Sequence, residues 1–227
     1  MMIAAESLNR LYPASAASSA IVCIDDPQNR LEVSAFIQEC FRLDYAAEIE
    51  IYAEHLIALI DAQNRVKAAV GYQAASSGPL FLEQYLDQPI EQRLSQASGS
   101  AVRREQIVEV GNLASRSSGW TRQIIMALAP FYYRQGFEWL VITVTPRVLN
   151  SFHKLGVGLE LLPLAAADPS RLQQDSARWG RYYQEQPLVM AGHIGKGISR
   201  LRKNRALIQQ LASACQPLRD QHIQIGR

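Results

Sequence analysis

The stretch that decides the fold is IVEVGNLASRSSGWTRQIIMALA, residues 107–129. Its opening residues, IVEVGNLA, are largely apolar and rich in β-branched side chains, which predicts a strand over Ile107–Ala114. The small polar residues SRSSGWT then predict a loop. RQIIMALA begins a helix that we expect over Arg122–Gly136 and, being apolar around most of its circumference, to be buried. Pro130 should kink or split that helix.

The loop between this strand and helix is a candidate phosphate site. Consecutive backbone amides at a helix N-terminus bind anions, and the positive end of the helix dipole helps. Arg116 and Arg122 flank the loop, and Thr121 is a candidate helix cap. The stretch matches neither a P-loop nor a dinucleotide fingerprint. An ordinary capped strand-to-helix loop is the alternative interpretation.

Strands and helices alternate on either side of this stretch. Upstream, the patterns predict a strand over Ala20–Asp26, a helix over Arg30–Tyr45, a hairpin of His55–Asp61 and Val66–Ala75, and short helices over Pro79–Gln96 broken at Pro89. Downstream they predict strands over Trp139–Pro146, Leu159–Ala165 and Pro187–Ile194, and helices over Val148–Gly156 and Lys196–Cys215. The fold class is therefore α/β (α+β), a mixed central sheet with helices on both faces.

The chain divides into three parts by composition. Residues 1–19 are rich in Ala and Ser and predict a flexible arm, residues 20–195 form one domain, and residues 196–227 form a C-terminal basic helix and tail. The segment 196–205 carries five basic residues and no acid. It is either a solvated face or a contact for an acidic carrier protein or an anionic membrane surface.

Composition excludes several classes of protein. The chain has 227 residues, 48% of them hydrophobic, and a net charge of +2, which argues against wholesale disorder and against a strongly basic nucleic-acid binder. Three cysteines and four scattered histidines form no metal-ligand pattern, so we expect no metal and a reducing compartment. We see no secretory signal and no membrane-spanning run. A cytoplasmic protein is the expectation.

Four positions could carry chemistry. Glu109 lies within an apolar strand and faces either a cleft, where burial would raise its pKa towards that of a general base, or solvent. Asn112 points to the opposite face unless a bulge at Gly111 brings it round. His153 is either structural or catalytic. The aromatic segment Trp179–Tyr183 is either a loop pinned to the core or a wall of a substrate site.

Several segments together resemble the thermostable hemolysin family of bacterial proteins. They are FLEQYLDQPIE (81–91), IVEVGNLAS (107–115), TVTPRVLNSFHKLG (143–156), AADP (166–169) and WGRYY with a later Pro (179–187). The element order also resembles the GNAT acyltransferase fold and, within it, the acyl-homoserine-lactone synthases, which carry a helical insert where this chain has 79–96. The family name implies membrane lysis, but a name records a phenotype and not the chemistry of a site.

The GNAT resemblance implies a thioester site. Arg116–Thr121 is similar to the GNAT pyrophosphate loop Arg/Gln-x-x-Gly-x-Gly/Ala, with Thr121 in place of the last small residue. Strands four and five would splay apart to admit a pantetheine arm, and Glu109 would face the acceptor, with Asn112 beside it. The residues implied to bind the thioester cofactor are Val110, Gly111, Leu113, Arg116, Ser117, Ser118, Gly119, Trp120 and Thr121.

One departure from the GNAT pattern concerns the general acid. Many GNAT enzymes have Tyr-x-Lys-x-Gly after strand five, whereas this chain has FHKLG at 152–156 and lacks that hydroxyl. The proton for the leaving thiolate would then come from His153, Tyr182, Tyr183 or water. Asn150, Tyr182 and Tyr183 are the expected substrate contacts.

These observations together predict an N-acyltransferase. It would move an acyl group from acyl-CoA or an acyl carrier protein thioester to a small amine, without a metal. The alternatives are a membrane-active hemolysin, supported by the basic tail, and a non-catalytic module that binds acyl thioesters.

Overall fold

The computed structural model describes residues 19–173 and 176–203. Seven strands form one mixed sheet in the order β1-β2-β3-β4-β5-β7-β6. The strands are β1 (Ser19–Ile24), β2 (His55–Asp61), β3 (Val66–Ala74), β4 (Ile107–Ser115), β5 (Trp139–Val144), β6 (Leu161–Ala166) and β7 (Leu188–His193). The α-helices are α1 (Pro27–Tyr45), α2 (Ile90–Ser98), α3 (Ser118–Arg134), α4 (Pro146–Lys154) and α5 (Ile194–Lys203). The predicted mixed sheet is confirmed.

Helices cover both faces of the sheet. α3, α4 and α5 pack on one face, against residues such as Val108 and Val110. α1 packs on the other face over β1 to β4, and α2 with a neighbouring 3-10 turn (Phe81–Tyr85) packs over β4 to β7. Because side chains alternate along a strand, Ile107 and Glu109 point to this second face. Glu109 therefore points under α2 and the 3-10 turn rather than into solvent.

Two helix starts differ from the prediction. α1 begins at Pro27, before Arg30, because the Asp26 carboxylate accepts the Asn29 N–H at 2.8 Å and caps the helix. α3 begins at Ser118, so Ser117 and not Thr121 is its N-cap residue. The predicted cap at Thr121 is wrong because that residue already lies in the first turn.

Two further boundaries concern α3 and α5. α3 continues through Pro130 to Arg134 and is not split there. α5 follows β7 directly and begins at Ile194, two positions before the predicted Lys196, and its Ile194 and Ile198 are buried in the core. Residues 1–18 of the predicted arm and residues 204–227 of the predicted tail lie outside the described residues. The division into domains stays a prediction.

The centre of the sheet opens between β4 and β5. These parallel strands pair only from Ile107 opposite Trp139 to Val110 opposite Ile142, while β4 stays paired with β3 as far as Ser115. Between Gly111 and Ala114, two residues of β4 oppose one of β3, which is a β-bulge. Asn112 lies in this bulge with φ of 53°, a left-handed conformation that asparagine tolerates well. The β4–β5 pairing ends at Val110, just before this bulge.

Candidate active site

A cavity lies where β4 and β5 separate, and we call it the wedge cavity. Its volume is about 880 Å³, including space open to solvent. Its lining includes Val110, Gly111, Asn112 and Leu113 from β4, with Thr143 and Thr145 from the end of β5. Its aromatic walls are Phe41, Tyr45, Tyr52, Tyr72, Phe81, Tyr85, Trp179 and Tyr182. The structure therefore places the predicted β4 residues along one opening.

Glu109 is the buried acid of the wedge cavity. Only 8% of the residue is exposed, and its two carboxylate oxygens accept the backbone N–H groups of Phe81 at 2.8 Å and Leu82 at 3.0 Å. Burial raises the pKa of Glu109 to about 7, although those two hydrogen bonds lower it. The carboxyl is not solvated, so the cleft interpretation of this residue is the one that the structure supports. A carboxyl that titrates near neutrality can act as a general base.

A salt-bridge network holds the 3-10 turn that contacts Glu109. The Arg104 guanidinium pairs with Glu83 at 2.7 Å and with Glu91 at 2.8 Å. The Glu83 carboxylate also accepts the N–H groups of Leu80 at 2.8 Å and Ile90 at 2.9 Å. Arg104 holds the pKa of Glu83 below its ordinary value despite partial burial. The network fixes the two amides that Glu109 binds.

A second cavity, which we call the loop cavity, joins the wedge cavity to the start of α3. It measures about 420 Å³, and its lining includes Ser115, Ser118, Thr121 and Arg147. Both cavities are lined by Phe41, Tyr45, Leu113 and Val148, so they are neighbours. The first-turn amides of a helix have no intrahelical partner and favour anions. No side-chain cap hydrogen bond occupies this end of α3 among the described residues.

The remaining residues of the predicted phosphate loop are Arg116, Gly119 and Trp120. The Arg116 guanidinium lies 5.2 Å from the centre of the Phe36 ring, a cation–π contact on α1. Gly119 and Trp120 belong to the first turn of α3 with Ser118. A Cβ built on Gly119 would approach the Ser117 Oγ at 3.6 Å, an ordinary contact. The glycine is therefore not required by the packing of the protein itself.

A third cavity, which we call the apolar cavity, lies on the α3 face of the sheet. It measures about 670 Å³ and is lined mainly by apolar side chains of β4, β5, α3, α4 and α5. Val110 and Leu113 line both this cavity and the wedge cavity. Glu160 and Arg200 form an ion pair at 3.2 Å, and Glu160 is part of the lining. The opening between β4 and β5 thus has an apolar cavity behind it.

The residues predicted to contact the substrate or to supply the proton for the thiolate lie in different places. Tyr182 is buried and lines the wedge cavity, and Tyr183 hydrogen-bonds through its hydroxyl to that of Tyr85 at 2.6 Å. His153 and Asn150 are exposed on α4, and neither lines the three cavities. The His153 ring lies against Gly158, where an added Cβ would come within 2.3 Å of Nδ1. The structure therefore does not bring His153 or Asn150 into the site.

Some lining residues were missed from the sequence. The Thr143 hydroxyl oxygen is buried and has no hydrogen-bond partner within residues 19–173 and 176–203. Arg147 supplies a cation to the loop cavity and pairs with Asp44. The TVTP motif at 143–146, which ends a buried strand next to β4, was the available signal for Thr143. Nothing in the sequence indicated that Tyr45 and Tyr52 face the same space.

Comparisons with known proteins give one family match and several structures of similar fold. The thermostable hemolysin family model matches residues 24–198. The chain is similar to the structure of FeeM, an N-acyl amino acid synthase from uncultured soil microbes, with 10% identity, a TM-score of 0.55, and coverage of 83% of this chain and 97% of that chain. It is similar to BjaI, a CoA-dependent acyl-homoserine lactone synthase with SAM and isopentyl-CoA, with 13% identity, a TM-score of 0.54, and coverage of 88% and 92%. A further similar structure is the AHL synthase LasI, with 14% identity, a TM-score of 0.51, and coverage of 78% and 89%.

At these identities the likeness shows the fold alone, which is GNAT-like, as the resemblance of the element order implied. A search among curated proteins found no match. In the part of the chain that the structure describes, no helix is long and apolar enough to cross a bilayer. The same residues contain no group of three His, Cys, Asp or Glu side chains placed to hold a metal ion.

Proposed function

We propose that this chain, which belongs to the thermostable hemolysin family, is an N-acyltransferase that moves an acyl group from a thioester to a small amine. The observation that carries the proposal is the buried Glu109 beside the point where β4 and β5 separate. A gap between two parallel strands leaves backbone groups unpaired, and a slender donor can bind them. The acid next to the gap can accept the proton of the attacking amine.

The reaction needs one proton acceptor and two positioned substrates. The amine nitrogen attacks the thioester carbonyl carbon, a C–N bond forms, and the C–S bond breaks. Glu109 accepts the proton that the nitrogen loses, directly or through water. Backbone N–H groups of the separated part of β4 would stabilise the negative charge on the carbonyl oxygen. Holding both substrates in one cavity supplies much of the rate.

The thiolate that leaves needs little assistance. A thiol has a pKa of about 8.5, and the pKa of Glu109 is about 7. Protonated Glu109 is therefore the stronger acid and can pass its proton to the thiolate. Burial raises the pKa of Tyr182 and of Tyr183, so both phenols are weaker acids for this step. The missing tyrosine of the GNAT pattern thus costs the reaction little.

The donor would enter from the loop cavity. A phosphate group of coenzyme A or of a carrier protein's phosphopantetheine would bind the first-turn amides of α3, with Ser118, Thr121 and Arg147 nearby. The pantetheine arm would lie along Gly111–Leu113. The acyl chain would occupy the apolar cavity, which shares Val110 with the wedge cavity.

An acyl carrier protein is the proposed partner if the donor is not free coenzyme A. Lys196, Arg202 and Lys203 are exposed on α5 and form a basic surface that an acidic carrier protein or an anionic membrane could contact. Reversing these charges should weaken the use of a carrier-bound donor but leave the use of acyl-CoA unchanged.

The test combines two substitutions in the site with one control. Gly111 lines the wedge cavity, and a Cβ added there would meet no protein atom within 4 Å, so it would project into open space. Gly111→Val should therefore fill space that the donor needs and block its binding. Glu109→Gln removes the base. Glu105→Gln, at an exposed position, is the control. With acyl-CoA donors and a panel of amines, thiol release should fall at least about ten-fold in the first two variants only.

Three outcomes would contradict the proposal. Equal thiol release by all four proteins would place the chemistry elsewhere. Donor binding without consumption by the parent protein would make it a binding module. Dye release from anionic liposomes that survives Glu109→Gln, with no acyl transfer, would favour membrane lysis.

A further inference from the structure

The wall of the wedge cavity on the side of the 3-10 turn is aromatic. The Phe81 ring is stacked with Tyr52, with ring centres 6.2 Å apart and planes 13° apart, and lies 5.7 Å from the Trp179 ring. Trp179 in turn lies 5.2 Å from Tyr182. Aromatic faces attract cations and stack with flat rings.

The charged side chains of the cavity are acidic. Glu109 and Glu50 line it, and within the described residues no lysine or arginine does. At the rim, Glu50 is already paired with Arg178 at 2.5 Å and accepts the Tyr52 hydroxyl at 2.6 Å. Glu109 therefore remains as the acid without a cationic partner among the lining residues. This charge distribution favours a positively charged ligand.

On the side of the 3-10 turn, the donors that could hold an anion are already engaged, whereas the unpartnered Thr143 hydroxyl belongs to the end of β5. The Phe81 and Leu82 N–H groups are bound by Glu109, and the Tyr52 hydroxyl by Glu50. The Gln73 amide donates to the Pro79 carbonyl at 3.3 Å. A carboxylate placed here would lose its hydration without gaining a cation or these hydrogen bonds, which is costly.

We infer that the acceptor is a cationic amine that carries an aromatic ring and no carboxylate, that is, an arylalkylamine rather than an amino acid. The inference rests on the proposed acyltransferase function and specifies its acceptor. The ammonium group would face Glu109, where it loses its proton to become the nucleophile, and the ring would stack against Phe81 and Trp179. The C–N bond then forms as the C–S bond breaks; the nitrogen loses a second proton, which reaches the thiolate directly or through water, and Glu109 releases the first proton to solvent.

The experiment compares amines that differ by one group. The full chain is given an acyl-CoA donor and matched pairs: tyramine with tyrosine, and phenylethylamine with phenylalanine. Tyrosine methyl ester retains bulk at the carboxyl position but no negative charge, and hexylamine lacks the ring. Amide products are quantified by mass spectrometry. We expect kcat/KM to be at least about ten-fold higher for each amine than for its amino acid, which corresponds to about 1.4 kcal/mol. The methyl ester should regain most of the loss, and hexylamine should be poorer than phenylethylamine.

A variant tests the contact itself. Trp179→Leu should raise KM for tyramine more than it lowers kcat, with circular dichroism as the folding control. Acylation of tyrosine at a rate equal to or above that of tyramine would overturn the inference but leave the acyltransferase function standing. Hexylamine as good as phenylethylamine would overturn the aromatic part. Consumption of none of the amines would refute the acyltransferase function and the inference together.

Discussion

The burial of Glu109 predicts a specific pH dependence of stability. The pKa rises from its ordinary value of 4.5 to about 7 on folding. Between these values the folded protein keeps a proton that the unfolded chain has lost, so the free energy of unfolding falls as pH rises through this window and levels off above it. A pKa difference of one is worth about 1.4 kcal/mol, so the full loss is about 3 kcal/mol.

Glu109→Gln removes this titration. The glutamine amide cannot accept both N–H groups, which costs about 1–3 kcal/mol at every pH. We therefore expect the unfolding free energy of the variant, minus that of the parent, to increase by about 3 kcal/mol from about pH 4.5 to about pH 8. Urea denaturation followed by tryptophan fluorescence measures it. Glu105→Gln, whose side chain is 70% exposed, should show no such change. A flat difference for Glu109→Gln over this range would refute the burial argument.

Three further predictions follow from the cavities and from one close contact. Gly197 lines the apolar cavity, and a Cβ there would meet no atom within 4 Å, so a larger side chain would reduce the space for an acyl chain. Gly197→Leu should therefore shift donor preference towards shorter acyl chains, while the small Gly197→Ala should not. Competition between acyl-CoA donors of different length measures this preference. Ser118→Asp should raise KM for acyl-CoA at least about ten-fold, because its carboxylate would repel the phosphate. An acyl thioester of N-acetylcysteamine has no phosphate, so its KM should change little. Steady-state kinetics with the two donors measures both values, and an equal rise in both would disprove the prediction. A Cβ on Gly71 would lie 2.4 Å from the Ala53 Cβ, so Gly71→Val should destabilise the protein by about 1–3 kcal/mol in thermal or urea unfolding. Gly111→Val, whose Cβ meets no atom within 4 Å, should not. Equal stability of the two variants would contradict the close contact at Gly71.

The strand, loop and helix around residues 107–129 could be predicted because their signals are local. Apolar β-branched residues, small polar residues and an apolar helix follow each other in the chain. The end of the β4–β5 pairing is different, because it depends on residues 107–110 meeting residues 139–142. The opening of the sheet was therefore expected from the family resemblance and not from any pattern of residues.

Glu109 shows what alternation leaves undecided. Its position in β4 puts it on the opposite face from Val108 and Val110, and on a sheet with one solvated face that would mean exposure. The structure covers this second face with the 3-10 turn and α2, which come from a separate stretch of the chain. The burial of the carboxyl is thus a tertiary effect.

The start of α3 shows a different kind of error. Ser117 and Thr121 are both acceptable N-cap residues, and the sequence does not distinguish them. The helix begins at the earlier one. Phe152 occupies the tyrosine position of the GNAT motif and His153 follows it, but a place beside a motif position does not fix where a side chain points, and His153 is exposed on α4.

The short pairing of β4 with β5 has a mechanical consequence. On one side of it, β1 to β4 form an antiparallel ladder; on the other, β5, β7 and β6 form a second one. Among the described residues, the strand pairing between the two ladders runs from Ile107 to Val110, preceded by one backbone hydrogen bond from the Glu138 N–H to the Gln106 carbonyl. A bound donor that supplies hydrogen bonds beyond this junction would act as a splint between them. Donor binding would therefore slow amide hydrogen exchange in both ladders, on either side of the gap, and not only at the residues that contact the donor.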